Sequence, residues 1–410
     1  MRQIDYPEDM TALREDYEMI FPIVVQRQMQ TKWEQLRDSL RHLDGDTPES
    51  RRLYPDNIID IVLAEYEQLV DMFVNYYQLH KKPGFEETWH EDLKKLFHYS
   101  GEIDTEIPAF QPAIADFFMR HQKDLKVDVC YYCELSYINS YGFSETYSDL
   151  GSFLMYANRH QVELHIRKAD GKKLDKRNYD KIMNLRNQED ISQGNIVRRF
   201  DAIFDRWMKD DKKKSNEVNG KLRNHFDLDH FLPKSECPLV GLSLKNFVPS
   251  CPICNEKLKR SDILGGENED DWARVLRKVS PISSQYIFGS ISKFKLNDHG
   301  YGWLRAQEHP EHYTLEFNST DSDYQSEIID EFHLEERYAY HKCEALRWHD
   351  LMNDYPDSRI KEMADALKGY KTEEQLRNDI FQAEYFESNV RCFDKLRRDI
   401  LETCNCRNNQ

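Results

Sequence analysis

Apolar and polar positions follow helical spacing through the first third of the chain. Residues 9–43 read as helical, with Pro22 the expected kink or break. Over 56–79, Ile59, Val62, Leu63, Tyr66, Leu69, Val70, Phe73 and Tyr77 recur at steps of three and four, which predicts one long amphipathic helix facing a core. Lys81, Lys82, Pro83 and Gly84 mark a loop, and further helices run to about 122. The pattern then changes. Residues 127–133 are short and β-rich, and 153–166 read as one or two strands stopped by the turn signal Asp170-Gly171. Helical spacing returns over 176–208. A strand running into a loop is predicted at 224–234, a second short strand at 244–250, and a helix from Cys254 onward. Residues 301–317 suggest a β-hairpin, and 322–352 and 373–401 suggest closing amphipathic helices. No internal repeat or low-complexity segment interrupts the series. The sum is an α+β protein, mainly α-helical, in three regions: a helical 1–124, a mixed core with an insertion at 125–270, and a mostly helical 271–410.

Composition narrows this picture. Of 410 residues, 39% are hydrophobic and 12% aromatic, enough to build a core and to exclude global disorder. No apolar run approaches the ~18 residues a membrane helix needs. The opening MRQIDYPEDM is polar and acidic, unlike a secretory signal, so the expected location is cytoplasmic. An odd count of nine cysteines argues against a disulfide framework. The net charge of −17 opposes phosphate binding by the surface as a whole, so any nucleic-acid contact must come from local basic groups or a partner. Local basicity exists at 206–224, where Arg206, Lys209, Lys212, Lys213, Lys214, Lys221 and Arg223 outnumber Asp210, Asp211 and Glu217. It recurs at Lys257, Lys259 and Arg260. The plainer reading of 206–224 is a solvated surface run.

Four cysteines form two Cys-x-x-Cys pairs, Cys130/Cys133 and Cys251/Cys254. Together they supply the four thiolates of a tetrahedral Zn²⁺ site. All four positions would be filled, so such a zinc fastens distant segments together and does no catalysis.

The second pair sits inside a larger constellation. Asp229-His230 lies in the predicted first strand and loop, Asn246 in the second strand, and Asn255 at the start of the helix. Hydrolysis of a phosphodiester at neutral pH needs a base to activate water, a divalent cation, and a group that orients the base. His230, with an ordinary pKa near ~6.5, suits the base. Asp229 and Asn255 offer oxygens to the cation, and Asn246 can bridge loop and strand. Lys257 and Lys259 are placed to meet phosphates. His225 and Asp227 alternate with Asp229 on one strand face. They can add a ligand or a phosphate contact, although the outer face of an edge strand is the simpler reading.

This arrangement resembles the HNH (ββα-metal) endonucleases of the zinc-knuckle type. The resemblance implies an embedded ββα-metal core. It implies His230 as base, Asp229 and Asn255 as ligands of a catalytic Mg²⁺ or Mn²⁺, and Asn246 as a structural residue. Cys130, Cys133, Cys251 and Cys254 would hold structural zinc. Asn255 where many members carry His matches the variant of RNA-guided nucleases. At longer range, Cys-Tyr-Tyr-Cys, the Pro-Lys-Ser after His230, and the stretch 332–342 with Arg337 and His341 look like HNH subunits of Septu-type and retron-associated anti-phage systems. That likeness implies an ABC-type ATPase partner and DNA, ahead of RNA, as substrate. The alternatives are an RNA- or tRNA-cleaving enzyme of the same class, and a non-catalytic zinc-stabilised binding or assembly subunit. Arg337 and His341, one turn apart, read most simply as surface groups.

Overall fold

The computed structural model describes residues 2–101, 103, 105–141, 176–186, 223–367, 369–381 and 391–408. These fall into two compact units, Met1–Asn139 with His225–Gln410, and Ser140–Asn224. The strands expected at 153–166 and nearly all of the basic run 206–224 lie outside the described residues. No helix among the described residues is long and apolar enough to cross a membrane.

The first unit opens with α1 (Thr11–Glu18) and α2 (Ile23–Leu43). Pro22 separates them as expected, its extended backbone capping α2, where a missing N–H costs nothing. Next come α3 (Pro48–Leu53), α4 (Ile58–Val62) and α5 (Tyr66–His80). The single helix expected over 56–79 is therefore two. Asn57 caps α4 by accepting from Ile59 N at 3.0 Å, and the chain leaves helical geometry at Leu63 and turns extended at Glu65. The apolar spacing survives the break because both pieces face the same core, which is why periodicity alone does not reveal it. Helices α6 (Glu87–Leu96) and α7 (Gln111–Arg120) complete the helical portion.

The N-terminal helices close on one loop. Tyr17 donates to the Leu242 carbonyl at 2.9 Å, and Ser243 donates to the Ile61 carbonyl at 2.8 Å. The Tyr66 ring meets Phe231 edge-on at 6.1 Å. The turn Pro238–Leu242 is wholly buried and packs on α4, α5 and α6.

Two short strands flank that loop. β3 (Asp227–His230) pairs antiparallel with β4 (Phe247–Ser250), with His230 opposite Phe247 and Asp227 opposite Ser250. Residues 244–246, expected in the second strand, form a tight turn before it. A helix follows at Ile253–Lys259. It is wide-wound: Arg260 N reaches back five residues to the Asn255 carbonyl at 2.8 Å, and Arg260 then ends it at φ +53°. Wide turns of this kind are sparse and cluster at functional sites.

The segment 127–133 is no strand. It makes a single bridge between Val129 and Tyr137 and otherwise turns. The C-terminal portion contains the hairpin β5 (Ser292–Asn297) with β6 (Thr314–Ser319), in register from Ser292–Ser319 to Asn297–Thr314. The hairpin expected at 301–317 is thus displaced, with 298–313 forming its connection. Stacked Phe294 and Phe317, 3.8 Å apart, explain the register, since cross-strand aromatic pairs stabilise a ladder. The helix expected at 322–352 is broken at His333, which sits in left-handed geometry at φ +47°, and again at His341. Asp394–Asn408 packs along β5, where Asp399 accepts from Phe294 N at 2.9 Å.

One buried apolar cluster runs from Ile4 to Ile400 through this unit, crossing the positions 124 and 270 at which the sequence pattern divides the chain. The second unit shows β1 (Ser140–Tyr141) paired antiparallel with β2 (Arg223–Asn224) and a helix at Lys176–Arg186.

Candidate functional site

The strand face carrying Asp227 and Asp229 looks onto the helix carrying Asn255 and Lys259. Asp227 meets Asn255 and Asp229 meets Lys259, so two pairs face each other. Asp227 exchanges a hydrogen bond with Asn255, and burial raises its pKa. Its buried Oδ2 has no hydrogen-bond partner among the described residues. Asp229, only 2% exposed, is fully engaged. Tyr132 donates to its Oδ2 at 2.5 Å, and Lys259 Nζ lies 3.3 Å from Oδ1 and 3.2 Å from Oδ2.

Lys259 therefore departs from the sequence expectation. Its side chain is fully buried and also donates to the His230 carbonyl at 2.9 Å. A phosphate cannot reach it without opening the core, whereas Lys257 and Arg260 are exposed. The wide turn carries Lys259 inward beneath β3. His225 is exposed, while Asp227 and Asp229 face the protein, so the solvent-edge reading fails for those two.

His230 lies at the strand end, 8% exposed, edge-on to the Tyr99 ring at 4.5 Å and tilted against Phe247 at 4.8 Å. Nε2 is 2.9 Å from the Gly241 carbonyl. A carbonyl only accepts, so Nε2 carries the proton and Nδ1 keeps its lone pair. No hydrogen bond from a described residue reaches Nδ1. Burial, aided by Lys234 and Lys259, brings the imidazole pKa down to about 3, so the ring is a neutral base across the physiological range.

Asn246 holds this arrangement. Its Oδ1 accepts from Leu232 N at 2.8 Å, and its Nδ2 donates to the carbonyls of Leu232 at 3.0 Å and Val240 at 2.9 Å. Its own carbonyl accepts from Phe231 N at 2.9 Å. These bonds tie both ends of the loop together and set Gly241 over His230, which is the bridging role read from the sequence.

Three residues that carried no role in the sequence enter here. Tyr99 covers His230. Lys234 is half-buried, with Nζ 5.5 Å from the Tyr99 ring centre and no ion pair among the described residues; burial lowers its pKa, against the pull of Asp229. Tyr132 is described above. The Pro-Lys-Ser and Cys-Tyr-Tyr-Cys phrases contain two of them, but nothing local marks which atoms they meet.

Cys130, Cys133, Cys251 and Cys254 converge as expected, buried, with their sulfurs within 4.8 Å of one another. The Cys133–Cys251 separation is 4.0 Å, against ~3.8 Å for the edge of a tetrahedron with Zn–S bonds of ~2.3 Å. Backbone N–H groups support two sulfurs, Cys251 N to Cys130 at 3.3 Å and Leu135 N to Cys133 at 3.4 Å. Hydrogen bonds from neighbouring cysteines draw Cys251 and Cys133 toward thiolate, while burial pushes Cys130 and Cys254 up. Thiolate ligands and this spacing suit zinc, and the four residues can hold it. Arg337 is no surface group: Nη1 reaches Cys254 Sγ at 3.4 Å and the Phe332 carbonyl at 3.2 Å. Its charge offsets part of the negative charge that four thiolates around a divalent ion would leave. A second grouping, His309, Glu311 and His312, is exposed at Glu311, with contacts of 3.5 and 3.6 Å that fit surface ion pairs.

Comparison with known protein families, curated proteins and solved structures finds no match to this chain.

Proposed function

We propose that the chain is a metal-dependent phosphodiester hydrolase of the HNH type, acting on DNA as the nuclease of an anti-phage complex. The observation that carries this reading is His230: a neutral imidazole with Nε2 pinned to the Gly241 carbonyl and Nδ1 left to accept a proton from water, beside an acidic strand face. Asp229 and Asn255 would hold Mg²⁺ or Mn²⁺, and Asp227 Oδ2, which has no hydrogen-bond partner among the described residues, supports an added ligand there. A cation so held would stabilise charge on the leaving oxygen. For phosphate contact, exposed Lys257 keeps the place first given to it, and half-buried Lys234 takes that of Lys259. The strong negative net charge favours a chain that works with a basic or nucleic-acid-bound partner, such as an ABC-type ATPase.

One observation favours a second reading. The Asp229–Lys259 pair already places a positive charge against the carboxylate, as a purely structural, zinc-held binding subunit would. The deciding experiment incubates plasmid DNA and total RNA with wild type and His230→Ala, with Mg²⁺ or Mn²⁺ and with EDTA, alone and with co-purifying protein. Cutting that needs metal and vanishes in the variant is the expected result. Cutting of RNA alone would move the substrate to RNA. No cutting by a folded, zinc-containing wild type, with or without the partner, would leave the binding subunit.

A further inference from the structure

The first cysteine pair does more than contribute sulfur. Between Cys130 and Cys133 stands Tyr132, 2% exposed, whose hydroxyl donates to Asp229 Oδ2 at 2.5 Å. A carboxylate oxygen accepts, so the hydroxyl is the donor in this contact. Hydrogen bonds to a carboxylate at this length are the charge-assisted, strongly orienting kind. The Tyr132 ring is stacked on Phe332, 4.5 Å away at 17°. The Phe332 carbonyl is held by Arg337, whose same Nη1 reaches Cys254 Sγ. Tyr338 donates to the Cys133 carbonyl at 2.7 Å, fixing the far end of the turn. Tyr132 is thus held by a cysteine on each side and by a ring whose backbone is tied to a cysteine of the other pair.

We propose that Tyr132 is a positioning residue for Asp229, and that metal binding at the four cysteines sets the orientation of that carboxylate through it. The inference rests on the reading of Asp229 as a cation ligand. The phenol fixes Oδ2 of Asp229 and with it the plane of the carboxylate, so a divalent ion would take Oδ1 by displacing Lys259, 3.3 Å away. With the cysteines emptied, the turn carrying Tyr132 loses its anchor, and Asp229 loses its donor.

The test compares wild type, Tyr132→Phe and Asp229→Asn, each loaded with zinc. Tyr132→Phe keeps the ring and its stacking and removes only the donor. Three quantities are read: zinc content with melting temperature, Mn²⁺ affinity by electron paramagnetic resonance titration, and cleavage rate against Mg²⁺ concentration. The expected result for Tyr132→Phe is unchanged zinc content and an Mn²⁺ affinity weakened at least about tenfold, the usual cost of losing a group that orients a metal ligand. The cleavage defect should shrink at saturating Mg²⁺, a split that simple loss of packing would not give. Mn²⁺ affinity and Mg²⁺ dependence within twofold of wild type would overturn the role of Tyr132, provided Asp229→Asn still weakens Mn²⁺ binding. Mn²⁺ binding equally weak in wild type and Asp229→Asn would instead remove the cation-ligand reading, and the inference with it. If Tyr132→Phe does not fold, Phe332→Leu removes the stacking partner and leaves Asp229 and the cysteines in the sequence. It should weaken Mn²⁺ binding in the same direction, and an unchanged affinity there overturns the proposal.

Discussion

Lys257 and Lys259 stand two residues apart and lead opposite lives. Lys259 is sealed against Asp229, while Lys257 is exposed. Removing one partner of a buried ion pair strands the other charge and costs about 3–5 kcal/mol, so Lys259→Ala should melt far below wild type. Lys257→Ala should change stability by no more than about 0.5 kcal/mol and show its effect in nucleic-acid affinity. Denaturant titration of both variants checks this, and equal stabilities would refute the placement of Lys259. His230 gives a pH signature. Its folded pKa lies near 3 and its unfolded pKa near ~6.5, so between those values the unfolded chain binds a proton that the folded chain refuses. Stability should therefore fall as pH drops from about 6.5 toward 3, by at most about 1.4 kcal/mol per pH unit from this group. His230→Gln should flatten that slope. If His230 is the base, activity should also persist below pH 6.5, where an ordinary histidine would be protonated.

At the scale of elements, the loop between β3 and β4 is the device that makes the site, and Asn246 closes it. Asn246→Ala forfeits three buried side-chain hydrogen bonds and should cost about 2–4 kcal/mol, with a loosened His230 ring seen as a histidine pKa rising toward its free value by NMR titration. A pKa that stays low would mean that the N-terminal helices alone keep His230 buried. Much of this element was legible. Asp229-His230, Asn246 and Cys-x-x-Cys-Asn occur in an order that predicts strand, loop, strand and helix, and those four elements are present. The winding of the helix was not legible, because Lys257 and Lys259 look alike until the wide turn at 253–259 decides which points inward. The broken helices have a similar cause. Apolar spacing reports which face is buried, and it is blind to a left-handed His333 or an extended Glu65 that redirects the chain between two buried faces. The hairpin was misplaced although 292–297 alternates buried and exposed residues, because the aromatic loop at 301–313 gave the louder signal.

For the whole molecule, the N-terminal helices, which carry no chemical motif, gain a purpose. Tyr17, Ile61 and Tyr66 grip the loop and the core beneath it, so the helices act as the outer wall of the site. The four cysteines join chain segments more than a hundred positions apart. Stripping zinc with a strong chelator should therefore lower the melting temperature of the first unit broadly, and not simply release one turn. Cys251→Ala should do the same and abolish zinc content. A zinc-free protein that melts like wild type would show that the thiols pack without metal.

The pairing of β1 with β2 has a consequence for how such a chain can be remodelled. Ser140 lies opposite Asn224 and Tyr141 opposite Arg223, so the polypeptide departs and returns through neighbouring points. The ends of the segment 142–222 are therefore neighbours, which makes it a cassette in the connectivity of the chain. Bridging Tyr141 to Arg223 with an Asn-Gly turn, which suits a two-residue hairpin, should yield a shortened protein that retains zinc and melts within a few degrees of the full chain. The same excision removes nearly all of the basic run at 206–224, so nucleic-acid affinity measured before and after it would say whether the cassette is cargo or tool.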